Sequence, residues 1–278
     1  MFYNCLDWTN RELVKHLKKF GCKTKLIDIH KFYLNIHLKN KSKCLYLNRV
    51  YPSEKSINTI RFMLEISKHL ENLGLKIINS FDASFIDYSK TEACSILEAS
   101  NMPVPKTYLL STFEAAKLLA PKLKYPKIIK ADTGGRASHV YKVNSKKEFL
   151  NIVQNLLRSH LIHIEDFYEP PEYVTRIFVL GYSFEMAYKK FLLRDHWKAS
   201  VSKGSKIELY NDISNKLCKI SERIAKLIKA EIIAFDVIEA ENKPIFIDLN
   251  LTPVFSRKNL KFYKCNPVEK IARYIASI

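Results

Sequence analysis

Apolar and polar residues alternate along this chain in two rhythms. In DWTNRELVKHLKKFG, Leu13, Val14, Leu17 and Phe20 recur at helical spacing and predict an amphipathic helix. Thr9 with Glu12 has the capping-box form, and Gly21 stands where a helix-ending glycine belongs. KTKLIDI and KCLYLNRV read as strands, residues 54–73 as a second amphipathic helix closed by Gly74, and LKIIN as a further strand. This alternation predicts an N-terminal α/β domain over residues 1–85, built on a mainly parallel sheet.

Beyond residue 85 the pattern changes. SKTEACSILEASN is helical, MPVPKTYLL is a proline-punctuated extended stretch, and 111–120 and 145–158 are further helices. LIHIEDF reads as a strand, TRIFVLG and SFEMAYKKF as a hairpin, and 212–229 as a long amphipathic helix. IIAFDVIEA and PIFIDLNL form a second hairpin across ENK. The tail NPVEKIARYIASI is a helix with Asn266 as N-cap and Pro267 in the first turn. The second part is therefore α+β, with no internal repeat and no low-complexity linker.

Composition narrows the classes. Of the 278 residues, 47% are hydrophobic and 27% charged, the balance of a globular chain. No apolar stretch approaches the ~18 residues that a bilayer span needs. The first twenty residues lack the pattern of a signal peptide, so a cytoplasmic protein is expected. The six cysteines, at 5, 22, 44, 94, 218 and 265, form no CxxC pair and no zinc spacing, and are expected to stay reduced. A net charge of +18 attracts anionic partners, but the lysines are scattered and no run of five basic residues occurs. The charge thus gives little support to a nucleic-acid partner and none to membrane insertion. A homo-oligomer is compatible with the sequence, which carries no signal of subunit number.

Two stretches carry candidate chemistry. If the last hairpin folds symmetrically about Asn242, Asp236 faces Asp248 and Asn250 shares their face. Opposed carboxylates on otherwise apolar strands repel and lose hydration, and a cation between them removes both costs. Oxygen-only donors suit magnesium or manganese over zinc. A different register would instead leave one aspartate exposed. The other stretch is KYPKIIKADTGGRASHVYKV. Lys130 ends an apolar strand, Gly134 and Gly135 adjoin, and Arg136 follows. Adjacent glycines let backbone N–H groups approach an anion, although a plain hairpin turn also uses them. The stretch has neither the Walker nor the dinucleotide-binding form. A cationic flap and an oxygen-only metal site together describe a site for a nucleoside triphosphate.

In their order these motifs resemble the ATP-grasp superfamily, and within it the RimK-like ATP-dependent glutamate ligases. INSFDASFIDYSK with LEASNMPVPKTYLL, the glycine stretch, IHIEDFYEPPEYVTRIFVLG, DHWKASVSKGSKIE and IIAFDVIEAENKPIFIDLNLTPVF follow that family's sequence over nearly the whole chain. The resemblance implies a pre-ATP-grasp α/β domain over residues 1–85, followed by an ATP-grasp domain of two subdomains, the lid over 86–165 and the metal-binding part over 166–278. It places Lys90 and Lys130 on ATP phosphates, and Gly134, Gly135 and Arg136 in the lid above them. Glu165, Asp166, Phe167 and Tyr168 would form the hinge whose backbone reads adenine, and Arg176 and Lys198 would be cations near the transferred phosphate or the acyl substrate. Asp236, Asp248 and Asn250 would bind magnesium.

The chain departs from the family at several points. His139 stands where relatives carry a glycine, and reads as an exposed loop residue. Val174 replaces the acid that holds the ribose, a role Glu172 could take, and Lys198, Ser200 and Asp248 replace arginine, asparagine and glutamate. The resemblance implies a carboxylate–amine ligase using ATP and magnesium, which adds an amino acid such as glutamate to an acidic small-molecule or peptide acceptor. The alternatives are an ATP-grasp kinase, or a non-catalytic protein that binds nucleotide or nucleic acid.

Overall fold

The structure, a computed structural model, describes residues 1–37, 44–52, 56–134, 139–158, 160–193, 196–199, 201, 204–240, 243–263 and 265–278. Strands β1 (Phe2–Tyr3), β2 (Ile27–Asp28), β3 (Tyr46–Arg49) and β4 (Ile77–Ile78) form a wholly parallel sheet in the order β2-β1-β3-β4. Helices α1 (Trp8–Lys19) and α2 (Ile57–Asn72) supply crossovers, as the alternating pattern predicts. The two residues of β1 are too few to show a period. The N-cap of α1 is Asp7, not Thr9: Asp7 accepts from Asn10 N, while the Thr9 hydroxyl bonds the backbone of Phe255, 246 residues away. Gly21 does end the helix, at φ +80°, with the two reversed hydrogen bonds of a Schellman turn.

Asn79 joins this sheet to the rest of the molecule. Its side chain is buried, donates to the carbonyls of Ile232 and Leu251 and accepts from Ile232 N. Ser80 then caps a helix that periodicity does not reveal, α3 (Phe81–Tyr88), and Ser89 caps α4 (Lys90–Ala99). A second sheet follows, from β5 (Thr107–Leu110), β6 (Lys127–Ala131), β7 (Val140–Val143) and β8 (Ile162–Asp166). It is antiparallel in the order β5-β8-β6-β7, and α5 (Phe113–Leu119) and α6 (Lys146–Leu156) cover one face.

The third sheet is the largest. Strands β9 (Tyr173–Leu180), β10 (Ser183–Phe191), β11 (Ile207–Leu209), β12 (Ile232–Ala240) and β13 (Lys243–Asn250) pair antiparallel in the order β11-β10-β9-β12-β13. Gly181 and Tyr182 turn the β9–β10 hairpin with positive φ at both positions. A Cβ on Gly181 would lie 2.7 Å from the Tyr274 ring, so the turn also needs glycine for space.

Both faces of this sheet are covered. Ile177, Val179, Phe235 and Val237 pack on α3, α4 and α7 (Asn215–Leu227). Residues 86–99, grouped by sequence with the second sheet, thus contribute to the core of the third. Phe178, Leu180, Ile232 and Ala234 face the other way, onto residues of the N-terminal sheet, α1 and α8 (Pro267–Ala276). The candidate side chains Arg176 and Asp236 continue this second face beyond Phe178 and Ala234.

Candidate functional site

Strand register builds the centre of the site. Tyr188 on β10 pairs with Arg176 on β9, Arg176 with Asp236 on β12, and Asp236 with Asp248 on β13. Directly paired residues share a face, so the four side chains form one row across four strands. Arg176 Nη1 lies 3.0 and 3.2 Å from the two Asp236 oxygens, and Lys190 Nζ lies 2.7 Å from Oδ2. Burial would raise the Asp236 carboxyl, but Arg176 and Lys190 overcome it and hold the group below the ordinary range. Burial lowers the Lys190 ammonium. Two cations against one carboxylate leave positive charge in excess, which suits an anion.

Asp236 does face Asp248, but not through a symmetrical hairpin. The pairs from Ala240–Lys243 to Val237–Phe246 run one residue out of step, and Ile247 is the extra residue of a β-bulge. The bulge restores the register at the functional end. Lys130 Nζ donates to the Ile247 carbonyl at 2.9 Å. The repulsion between the aspartates is met by the protein's own cations: Arg176 and Lys190 at Asp236, and Lys90, whose Nζ lies 3.8 Å from Asp248 Oδ1.

Lys90 lines the cleft, and Lys130 is buried behind its wall, bonded to Glu165 and Ile247. Lys90, at the first turn of α4, also donates to Gly134 O at 3.0 Å. Asp87 sits beside them, its carboxyl pushed by burial up to about 7 despite a bond from Leu251 N and the nearby Lys90 charge. Two adjoining cavities open here, and both are lined by Asp87, Lys90 and Asp248. Tyr51 and Gly134 border one, and Cys94 and Glu165 the other.

Lys130 has a partner the sequence did not reveal, the buried Glu165 carboxylate at 2.7 Å. Burial would raise that carboxyl, but Lys130 and a bond from His163 overcome it and hold it at about 2. Because the folded state depresses this group, its stabilisation is complete above about pH 4.5 and is lost as the pH falls toward 2. The loss is on the order of 3 kcal/mol. Chemical denaturation at pH 6 and pH 3 should show about 2 kcal/mol of this loss in the wild type but not in Lys130→Met/Glu165→Gln.

The remaining candidates fall as follows. Gly135, Arg136, Ser200 and Asn242 lie outside the described residues. Glu165 and Asp166 are the last two residues of β8, which is paired with both β5 and β6, and Asp166 also binds Lys127. Their strand position leaves Phe167 and Tyr168 as the part of the hinge beyond the sheet. The Phe167 ring carries Lys142 Nζ at 3.7 Å and meets Trp197 edge-on. Lys198 Nζ donates to Val140 O, opposite Lys130 on the neighbouring strand. Glu172 and His139 are exposed, and Val174 is buried. Asn250 pairs with Ala234 on the Asp236 face, and its Oδ1 accepts from Thr252 N. Sequence reasoning missed Asp87 and Lys190. In YKKF, strand period two forces one lysine inward, and that was the available signal.

Asp236, Asp248 and Asn250 offer only oxygen and share one face of paired strands, the donor type a hard divalent ion takes. Asp248 is more open than Asp236, which is bonded to Arg176 and Lys190, and Asn250 is bonded to Thr252 N. A sequence model of the RimK-like ATP-grasp domain matches residues 88–275. The chain belongs to the RimK-like ATP-grasp family. It is accordingly an ATP-dependent ligase that joins a carboxylate to an amine, and it uses ATP with a divalent metal. Among similar proteins, the alpha-aminoadipate–LysW ligase LysX of Sulfurisphaera tokodaii is 24% identical over 99% of this chain and 96% of its own length. The tetrahydromethanopterin:alpha-L-glutamate ligase of Methanosarcina acetivorans is 23% identical over 98% and 96%. The solved RimK-domain ATP-grasp protein of Sphaerobacter thermophilus superposes with a TM-score of 0.75 at 18% identity, covering 99% of this chain and 98% of that one. This RimK-like ligase has no described helix long and apolar enough to cross a membrane, and no disulfide among its described residues.

Proposed function

We propose that this chain adds an amino acid, such as glutamate, to the carboxylate of an acidic small molecule or peptide, with magnesium as the metal. The supporting observation is convergence: Lys90 lies beside Asp248 in the cleft, and Lys130, from a separate element, bonds Glu165 and the Ile247 carbonyl, two residues of the wall of the same cavity. The substrate carboxylate attacks the γ-phosphorus of ATP, ADP leaves, and an acyl phosphate forms. The amine then attacks the acyl carbon, phosphate leaves, and the amine's surplus proton passes to solvent or a nearby base. Lys90 and Lys130 hold phosphate oxygens, and Arg176 neutralises charge on the transferred group. Lys190 shares that task, a role that only the structure suggests for it. Asp236, Asp248 and Asn250 would hold magnesium, which when bound supplies charge neutralisation at the phosphates.

In this reading residues 1–85 form the substrate side, 86–165 the lid, and 166–278 the metal-binding part. Gly134, Gly135 and Arg136 close over the phosphates, excluding water from the acyl phosphate. The backbone of the hinge, chiefly at Phe167 and Tyr168, binds adenine, and Glu172 the ribose. Lys198, on the lid side, reaches toward the acyl substrate. Relatives named for ligation to LysW and to tetrahydromethanopterin support an acceptor larger than an amino acid. The net charge of +18 would steer an acidic one. ATP supply and the absence of disulfides among the described residues favour the cytoplasm.

The test is a screen of acid and amine pairs for ADP release, with mass spectrometry of the products. The expected product has the mass of acid plus amine less water, formed with one ADP and one phosphate. A stable phosphoester would make the protein a kinase, and ATP binding without turnover on any pair would make it a binding protein.

A further inference from the structure

The side chain that organises the cationic wall of the cleft has no role assigned to it by the sequence, although it lies in the IHIED stretch. His163 is fully buried in β8 and pairs across the sheet with Lys130. Its Nε2 lies 2.7 Å from Glu165 Oε1, the same oxygen that binds Lys130 Nζ. Its Nδ1 lies 2.9 Å from Thr91 Oγ1. Thr91 Oγ1 in turn lies 2.6 Å from Asp132 Oδ1, which also accepts from Thr91 N. Asp132 Oδ2 accepts from Ser89 Oγ. A continuous chain of hydrogen bonds therefore runs from the N-terminus of α4, which carries Lys90, through Asp132, Thr91, His163 and Glu165 to Lys130.

Counting protons along the chain fixes the role of the ring. An ionised carboxylate only accepts, so Nε2 must donate to Glu165. A threonine hydroxyl has one hydrogen, and the shorter contact to Asp132 takes it. The Thr91 oxygen is then left as an acceptor, and Nδ1 must donate to it. We propose that His163 is a positioning residue of the phosphate site, a buried ring that donates from both nitrogens and so carries positive charge. It fixes Glu165 against Lys130 and ties the helix of Lys90 to the same network. With that charge the cluster balances, Lys130 and His163 against Glu165 and Asp132, as a buried polar network requires.

A metal site is the competing use of these groups, since ligand atoms of Cys94, His163 and Glu165 lie within 4.8 Å of one another. Both His163 nitrogens and Glu165 Oε1 are already bonded. Burial and the Glu165 charge also push the Cys94 thiol up to about 11, away from the thiolate a metal would bind. The Lys130 ammonium occupies the place of a cation.

The proposal rests on the phosphate role of Lys90 and Lys130, and the test separates the two. Protein carrying 15N-labelled histidine is examined by NMR at neutral pH, with His163→Asn assigning the resonance. Both ring nitrogens of His163 should show the doubly protonated signature, and a neutral-tautomer signature would overturn the proposal. In parallel, the KM for ATP is measured for His163→Asn and for Thr91→Val, which removes the Nδ1 acceptor. Both should raise this KM about tenfold while changing kcat less than threefold. A purely structural role would lower the unfolding midpoint and leave KM unchanged, and that result would also overturn it. No ATP binding by the wild-type protein would instead overturn the phosphate reading of Lys130, and the positioning role with it, whatever the NMR shows.

Discussion

Lys130→Ala should remove catalysis and weaken the fold together. The side chain is buried between Glu165 and the Ile247 carbonyl, so its loss leaves the buried carboxylate with His163 alone. Removing one partner of such a pair costs about 3–5 kcal/mol. If Lys130 holds a phosphate oxygen, the change also removes a fixed positive charge from that site, where one such contact is worth roughly 10²–10³ in rate. The two effects can be separated. Lys130→Met with Glu165→Gln removes both charges and should return to within about 1–2 kcal/mol of wild-type stability, since a well-packed neutral pair replaces a buried ionic one at little cost. ADP release by this double variant should stay at least a hundredfold low. Denaturation curves and steady-state assays on the same preparations check both parts, and full activity in the double variant would remove Lys130 from the mechanism.

Asp248→Asn should behave differently, with a large loss of turnover and almost none of stability. The Asp248 side chain is 40% exposed, and its cation partner Lys90 keeps a second contact at Gly134. A partly exposed pair of this kind contributes about 1 kcal/mol or less. If Asp248 holds the metal, loss of its anionic oxygen should weaken metal binding, and turnover should fall at least a hundredfold. The concentration of magnesium needed for half-maximal rate should rise. Asp236→Asn is the less useful probe, because it strands two buried cations, Arg176 and Lys190, as well as altering the donor set. Unchanged magnesium dependence in Asp248→Asn would exclude this aspartate as a ligand.

The regular parts of the fold were legible from periodicity. The two hairpins of the large sheet and the proline-started last helix follow patterns long enough to be read, and the parallel N-terminal sheet follows from the alternation of strand and helix, although three of its strands have two residues each. What was missed has identifiable causes. Strand β1 has two residues, and α3 lacks a single apolar face because it packs between other elements. Thr9 and Asp7 are both competent caps, and only the tertiary contact to Phe255 decides between them. A symmetrical hairpin predicts the opposition of Asp236 and Asp248, yet that opposition arises from an offset turn corrected by the bulge at Ile247.

The candidate site was legible in its charged residues but not in their pairings. Sequence places Lys130 at the end of an apolar strand without showing what compensates it. Its partner, Glu165, lies 35 residues away on the adjacent strand, and only the β6–β8 register brings them together. Lys190 was hidden in a lysine pair. Its neighbour Lys189 turns outward between the Tyr173 and Tyr210 rings, while Lys190 turns inward to Asp236. His163 looks like one polar residue in a strand, and its meaning depends on Thr91, 72 positions earlier.

Lys90, Lys130 and the aspartate row must share a single triphosphate site for this chemistry to work. A crystal structure of the protein with magnesium and a non-hydrolysable ATP analogue measures this directly. The expected result places phosphate oxygens within hydrogen-bond distance of both lysines and the metal on a carboxylate oxygen of Asp248. An analogue bound in another crevice, with Lys130 still closed onto Glu165 and no phosphate near Asp248, would contradict it.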